Sequence, residues 1–87
     1  AASKVASKIA EISLSTQVIA ISHTPQVAAR SDHHLLIEKS VSKGRTSAHV
    51  KVLGHEEKIK AIATLIAGKN PTEKQMEAAR DMVLSMR

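Results

Sequence analysis

Cysteine, phenylalanine, tryptophan and tyrosine are all missing from this 87-residue chain. Without cysteine there is no disulfide framework and no thiolate metal site. Without aromatics the core must be built from Ile, Val, Leu, Ala and Met, which bury less area per side chain. A chain near this size buries only roughly 60–65% of its unfolded surface, so an aliphatic core leaves little margin. No apolar run approaches the ~18 residues of a membrane span. The first residues, Ala1-Ala2-Ser3-Lys4, lack the basic-then-apolar layout of a signal peptide and show no initiator Met. These absences lead us to expect a piece of a longer protein whose remainder supplies more core.

Charge is present but scattered. The net charge is +5, and the nearest approach to a basic patch is Lys39, Lys43, Arg45 and Lys51. With no stacking aromatics, a platform for single-stranded nucleic acid is not expected. A solvated basic surface is the simpler reading.

Periodicity gives the elements. Residues 2–13 read as a helix, with Val5, Ile9 and Ile12 beside Ala2 and Ala6. Residues 16–22 read as a strand. Its Val18-Ile19-Ala20-Ile21 run is apolar on both faces, as in parallel sheets covered on both sides. Thr24 suits a helix N-cap and Pro25 the first helical position, giving a short helix over about 25–31. Residues 33–39, centred on Leu35-Leu36-Ile37, read as a second strand. Together these make a βαβ unit with parallel strands. Ser42-Lys43-Gly44-Arg45 is a turn signal, and Ala48, Val50 and Val52 form a returning hairpin strand. Helices are expected over 55–67, with Glu56 and Glu57 in the first turn and Gly68 as the stop, and over 73–86, where Thr72 and Gln75 have capping-box spacing. Asn70-Pro71 is too short for a domain linker. We read 1–87 as a single partial domain without internal boundary.

His23 is the foremost candidate site residue. It ends the apolar run and precedes a helix start, and open α/β sheets bind ligands at the carboxyl ends of their strands. A neutral imidazole there can hydrogen-bond a phosphate or an attacking water. It can equally be satisfied by a neighbouring backbone group, and spacing alone favours that plainer reading. Gln26 reads as a solvated helix residue. His33 and His34, with His49 or His55 nearby, invite a metal reading. Adjacent strand residues point to opposite faces, however, and no cysteine completes a set, so no metal is expected. Asp32 reads as closing the turn before the strand. Lys43 and Arg45, at a hairpin tip, read as a solvated turn, with contact to DNA phosphates as the alternative. Met76, Met82 and Met86 read as core or interface filler.

The stretch Thr16-Gln17-Val18, then Ser22-His23-Thr24-Pro25-Gln26-Val27-Ala28-Ala29, resembles the switch-histidine region of the RecN family. That family is a bacterial DNA-repair branch of the ABC-type ATPases related to structural-maintenance-of-chromosomes proteins. Asp32-His33-His34, Glu38-Lys39, Arg45-Thr46 and Ile62-Ala63 through Gly68 continue the resemblance. Thr72 and Ala78-Ala79-Arg80 match more loosely. Thr24 departs from the Leu common there, and is the better N-cap.

The resemblance implies an α/β fold: the C-terminal segment of a P-loop ATPase head, a small sheet of βαβ plus a hairpin strand with helices packed on it. It implies that His23 is catalytic and cofactor-binding, sensing the ATP γ-phosphate or positioning water. It implies ATP and Mg²⁺ as cofactors of the intact protein, and a role in double-strand-break repair and recombination. The partners implied are the N-terminal half of the same head, a second head in a homodimer, and DNA, in a bacterial cytoplasm next to the nucleoid. No membrane partner is implied. The family's Walker B acid and D-loop lie just before the position of Ala1, and its phosphate loop and signature motif lie far upstream. No Gly-x-x-x-x-Gly-Lys-Ser/Thr occurs here. The chain alone is therefore expected neither to hold ATP tightly nor to hydrolyse it, and its Val18–Ile21 strand is expected to lack a neighbour. The rival readings are a stand-alone basic nucleic-acid-binding module and a protein-interaction module.

Overall fold

The computed structural model describes residues 2–86. Its elements run α1 (Ala2–Ser13), α2 (Pro25–Arg30), β1 (Leu35–Ser42), β2 (Arg45–Val52), α3 (His55–Ala67) and α4 (Glu73–Ser85). The class is α/β as expected: four helices and a two-stranded antiparallel sheet among the described residues.

The core lies among the helices. Ile59, Ile62 and Ala63 of α3 meet Ala79 and Val83 of α4 and Ala29 of α2, all essentially inaccessible to water. Met76, Met82, Met86 and Ala28 close its margin, which is the filler role expected of the methionines. The 3.6-residue period of α3 predicts the stripe Ile59, Ile62, Ala63 and Ile66; the first three are buried, while Ile66, in the last turn, is 42% exposed. The small alanines let helix axes approach closely enough for aliphatic side chains to fill the space without aromatics.

Polar contacts fix the helix ends. The Gln75 amide donates to Thr72 Oγ1 at 3.2 Å, and the Thr72 amide donates to Gln75 Oε1 at 2.8 Å, completing the reciprocal cap of α4. The Gly54 amide donates to Glu57 Oε1 at 3.2 Å at the start of α3. Arg80 spans from α4 to Glu56 of α3 with two bonds, 2.8 and 3.1 Å. Gly68 ends α3 with φ +84°, a conformation that favours glycine.

The expected strand over 16–22 is the main correction. Residues 17–24 belong to no helix or strand. Ile19 is 81% and Ile21 95% exposed. The βαβ unit is not formed: the described sheet pairs β1 only with β2, and antiparallel. The physical reason is that a strand cannot satisfy its backbone alone. The apolar run selects a doubly covered strand, but no described residues offer it an edge or a cover. The α1 stripe is likewise only partly used. Ala6 is buried, while Val5 and Ile12 stay about half exposed.

Boundaries shift elsewhere. β1 starts at Leu35 rather than 33 and runs on to Ser42. β2 starts at Arg45, three residues before the expected Ala48, α2 ends at Arg30, and α4 at Ser85. The longer strands follow from the turn. Lys43 (φ 51°) and Gly44 (φ 75°) are both left-handed, as a two-residue hairpin loop of the type I′ class requires. Pairing therefore continues to Ser42 opposite Arg45.

Candidate functional site

His23 stands at the end of the unpaired stretch, exposed, directly ahead of α2. Pro25 occupies the first turn of α2, where its missing N–H costs nothing and its fixed φ is already helical. Thr24 holds the N-cap position with extended backbone (φ −88°, ψ 120°), but its side chain makes no capping bond. The Thr24 amide instead receives support from Ser22 Oγ at 3.0 Å. Ser22, not Thr24, thus orders the backbone around the imidazole. The His23 ring has no hydrogen bond or ion pair within the described residues. The backbone-satisfied imidazole of the plainer reading is not what is seen. Gln26 is half-buried on α2.

A separate cleft of about 590 Å³ lies between the start of β1 and α3. It is lined by Arg30, His33, His34, His55 and Lys58 among others. His23, Thr24, Pro25 and Gln26 do not line it. Lys58 reaches across it to donate to the Ser31 carbonyl at 2.5 Å, tying α3 to the end of α2. Arg30 pairs with Asp32 at 3.5 Å. His34 Nδ1 is buried there with no hydrogen-bond partner among the described residues. Burial, and then the nearby Lys58 ammonium, holds the His34 imidazole below its ordinary pKa. The cleft is basic and favours a neutral His34.

His33 and His34 precede β1 rather than lying within it. Among the described residues, no three His, Asp or Glu side chains converge as a metal-ligand set. The Lys51–Glu57 pair, at 2.6 Å, links the hairpin to α3. The bond to Lys51, with that from the Gly54 amide, lowers the Glu57 pKa, and the Arg80 bond lowers that of Glu56. His34 with Lys58, and Glu56 with Arg80, are each 24 residues apart in sequence. No local spacing signal announces them. The adjacent His33-His34 pair was the one visible cue to the cleft.

Comparison with known proteins gives the arrangement a context. No family model matches the chain. The chain is 45% identical over 82 residues to the DNA repair protein RecN of Halalkalibacterium halodurans, covering 94% of this chain and 14% of that protein. It is 40% identical over 82 residues to the DNA repair protein RecN of Bacillus subtilis, with the same two coverages. To that of Deinococcus radiodurans it is 37% identical over 83 residues, covering 95% of this chain and 14% of the relative. The chain thus spans about a seventh of the length of these relatives. It belongs to the RecN family, in which it matches a C-terminal segment.

Proposed function

We propose that this chain is the C-terminal part of an ATPase head of the SMC-like, ABC-type branch, acting in DNA double-strand-break repair and recombination. His23 is its switch histidine. Among the described residues, no helix is long and apolar enough to cross a membrane, and we place the protein in the bacterial cytoplasm at the nucleoid. The observation that carries the reading is the position of His23: exposed, without a hydrogen-bond partner among the described residues, and held between Ser22 and the Pro25 helix start.

The nucleotide fits these residues at one point only. An imidazole with both ring nitrogens free can donate to a phosphate oxygen or orient a water. The three glycines of the chain, Gly44, Gly54 and Gly68, form no phosphate loop. Phosphoryl transfer needs a phosphate cradle and metal ligands, so ATP and Mg²⁺ would be held mainly by other parts of the intact head. The chain alone is inactive in this reading. Its nearest partner is the N-terminal half of its own head, and head-to-head dimerisation and DNA engagement follow in the intact protein.

The uncovered apolar residues support that partner. Ile19, Ile21, Val5 and Ile12 lie on α1 and the stretch after it, and would be covered when the N-terminal half supplies an adjoining strand and helices. His23 would then sit at the end of a paired strand.

The test is His23→Ala in the full-length protein. A group used mainly in the transition state affects turnover more than ground-state binding. ATP hydrolysis should fall on the order of 10²-fold with ATP affinity retained. Unchanged turnover in a folded variant would reject the assignment.

A further inference from the structure

The hairpin is the part of the molecule that the helical core and the His23 reading leave unused. Among the described residues neither strand packs on a helix, and the Lys51–Glu57 ion pair ties the hairpin to α3 at its base. Each strand has eight residues, about 27 Å of ribbon at ~3.4 Å per residue. Its two ends differ. At the base, Leu35 faces Val52 and Ile37 faces Val50. The distal end, residues 39–48, carries Lys39, Lys43 and Arg45 and no carboxylate. Ser40, Ser42, Thr46 and Ser47 lie between these cations, and all of these side chains are exposed.

The register sets their directions. Lys39 is opposite Ala48, and Arg45 is opposite Ser42. Side chains alternate along a strand, so Lys39 and Arg45 project from opposite faces of the ribbon. Lys43 stands at the leading end. Unlike Lys51, Arg30 and Arg80, none of the three makes an ion pair within the described residues. Lys43 also adopts φ 51°, where Gly, Asn or Asp is the usual residue. A cation occupies a turn position that favours a small residue.

We propose that the tip of this hairpin is a DNA-binding element that enters the major groove of a duplex, with Lys39 and Arg45 meeting phosphates on its two walls and Lys43 leading. The inference rests on the reading that the chain serves a DNA repair protein, and adds the surface and the binding mode. The B-form major groove, about 12 Å wide, admits a two-stranded ribbon, whereas the minor groove, about 6 Å wide, does not. The deep, narrow major groove of A-form RNA excludes such a ribbon. Binding to single strands would require stacking aromatics, and the chain has none. The serine and threonine hydroxyls complement phosphate oxygens without reading sequence, so the contact is independent of base sequence.

The test uses this chain without nucleotide, so that it does not depend on His23. Fluorescence anisotropy is read against a labelled mixed-sequence duplex of about 20 base pairs, in salt from about 25 to 100 mM. Each phosphate contact adds about 0.9 to the slope of log affinity against log salt. Changing Lys39→Gln, Lys43→Asn and Arg45→Gln together should lower the slope by about 2.7. Over that fourfold salt range the parent chain should lose about 40-fold more affinity than the variant. Asn suits the left-handed turn position, so the variant keeps the hairpin geometry. The charge-matched control Lys60→Gln, Lys69→Gln and Lys74→Gln, on or beside α3 and α4, should leave the slope in place. Amide shifts of the unsubstituted chain on titration with DNA should concentrate at residues 39–47, a readout that needs no variant. Equal slope losses in both variants, no loss in the hairpin variant, shifts centred on the helices, or tighter binding of single- or double-stranded RNA than of DNA would each overturn the proposal. If binding to DNA passes this test while His23→Ala leaves turnover intact, the switch assignment fails and the hairpin stands.

Discussion

The same substitution, Ile→Ala, should have very unequal consequences at two sites in this chain. Ile62 is fully buried between α3 and α4, and Ile21 is 95% exposed. By composition the two residues are equivalent, and both lie in apolar runs. At Ile62 the truncation removes the transfer free energy of the lost methyl and methylene groups and leaves a cavity. The surroundings, Ile59, Val83, Ala63 and Ala79, include no aromatic ring, and the methionines Met76, Met82 and Met86 pack at the margin of the cluster, where they can fill only part of the space. The cost expected is about 3 kcal/mol within the usual 2–5 kcal/mol range. In a domain of this size that lowers Tm by roughly 12–24 °C. At Ile21 almost no area is removed from water, so the cost is below about 0.5 kcal/mol and the shift under about 4 °C. Thermal melts followed by circular dichroism at the helix band measure both. Equal shifts at the two sites, or a larger one at Ile21, would show that the helical trio is not the core and that residues 17–22 are covered within the chain.

Thr72→Ala removes the side-chain acceptor for the Gln75 amide and should cost about 1 kcal/mol; Thr72→Ser should recover most of it in the same melts. His34 gives a pH dependence. Its folded pKa is depressed below 6.5, so the folded state binds fewer protons than the unfolded chain. Its contribution is fully present above pH 6.5 and is lost as pH falls towards the folded pKa. The urea midpoint should therefore fall between pH 7.5 and 5.5, and His34→Leu should flatten that fall. Glu56 and Glu57 have lowered pKa values and act only below about 4.5, outside this window. A midpoint that rises on acidification would contradict the burial of the imidazole.

Much of the helical architecture could be read from local pattern. The stripe Ile59, Ile62, Ala63 is the core face of α3, and Thr72 with Gln75 caps α4 as their spacing implied. These features are local, and a helix satisfies its own backbone. The hairpin was also visible, though its extent depended on the left-handed pair Lys43-Gly44, which favours a two-residue loop and longer strands. The strand over 16–22 failed because strand formation is non-local. Val18-Ile19-Ala20-Ile21 specifies an environment apolar on both sides but not the chain segment that provides it. His23 was legible as the polar residue ending that run. The cleft was not, since His34 and Lys58 meet only through the packing of α3 on the end of α2. Arg80 was matched as part of the terminal helix without any hint that it grips Glu56.

In the function proposed above, residues 17–22 form a strand only when the rest of an ATPase head covers them. Amide hydrogen exchange at Val18, Ile19, Ala20 and Ile21 tests it most directly, measured in this chain alone and in the full-length protein. Unpaired, exposed amides exchange with free energies of opening near zero, whereas core strands approach the global stability. The expected result is unprotected amides in the chain alone and strong protection in the full-length protein. Strong protection in the chain alone, or none in either, would contradict it.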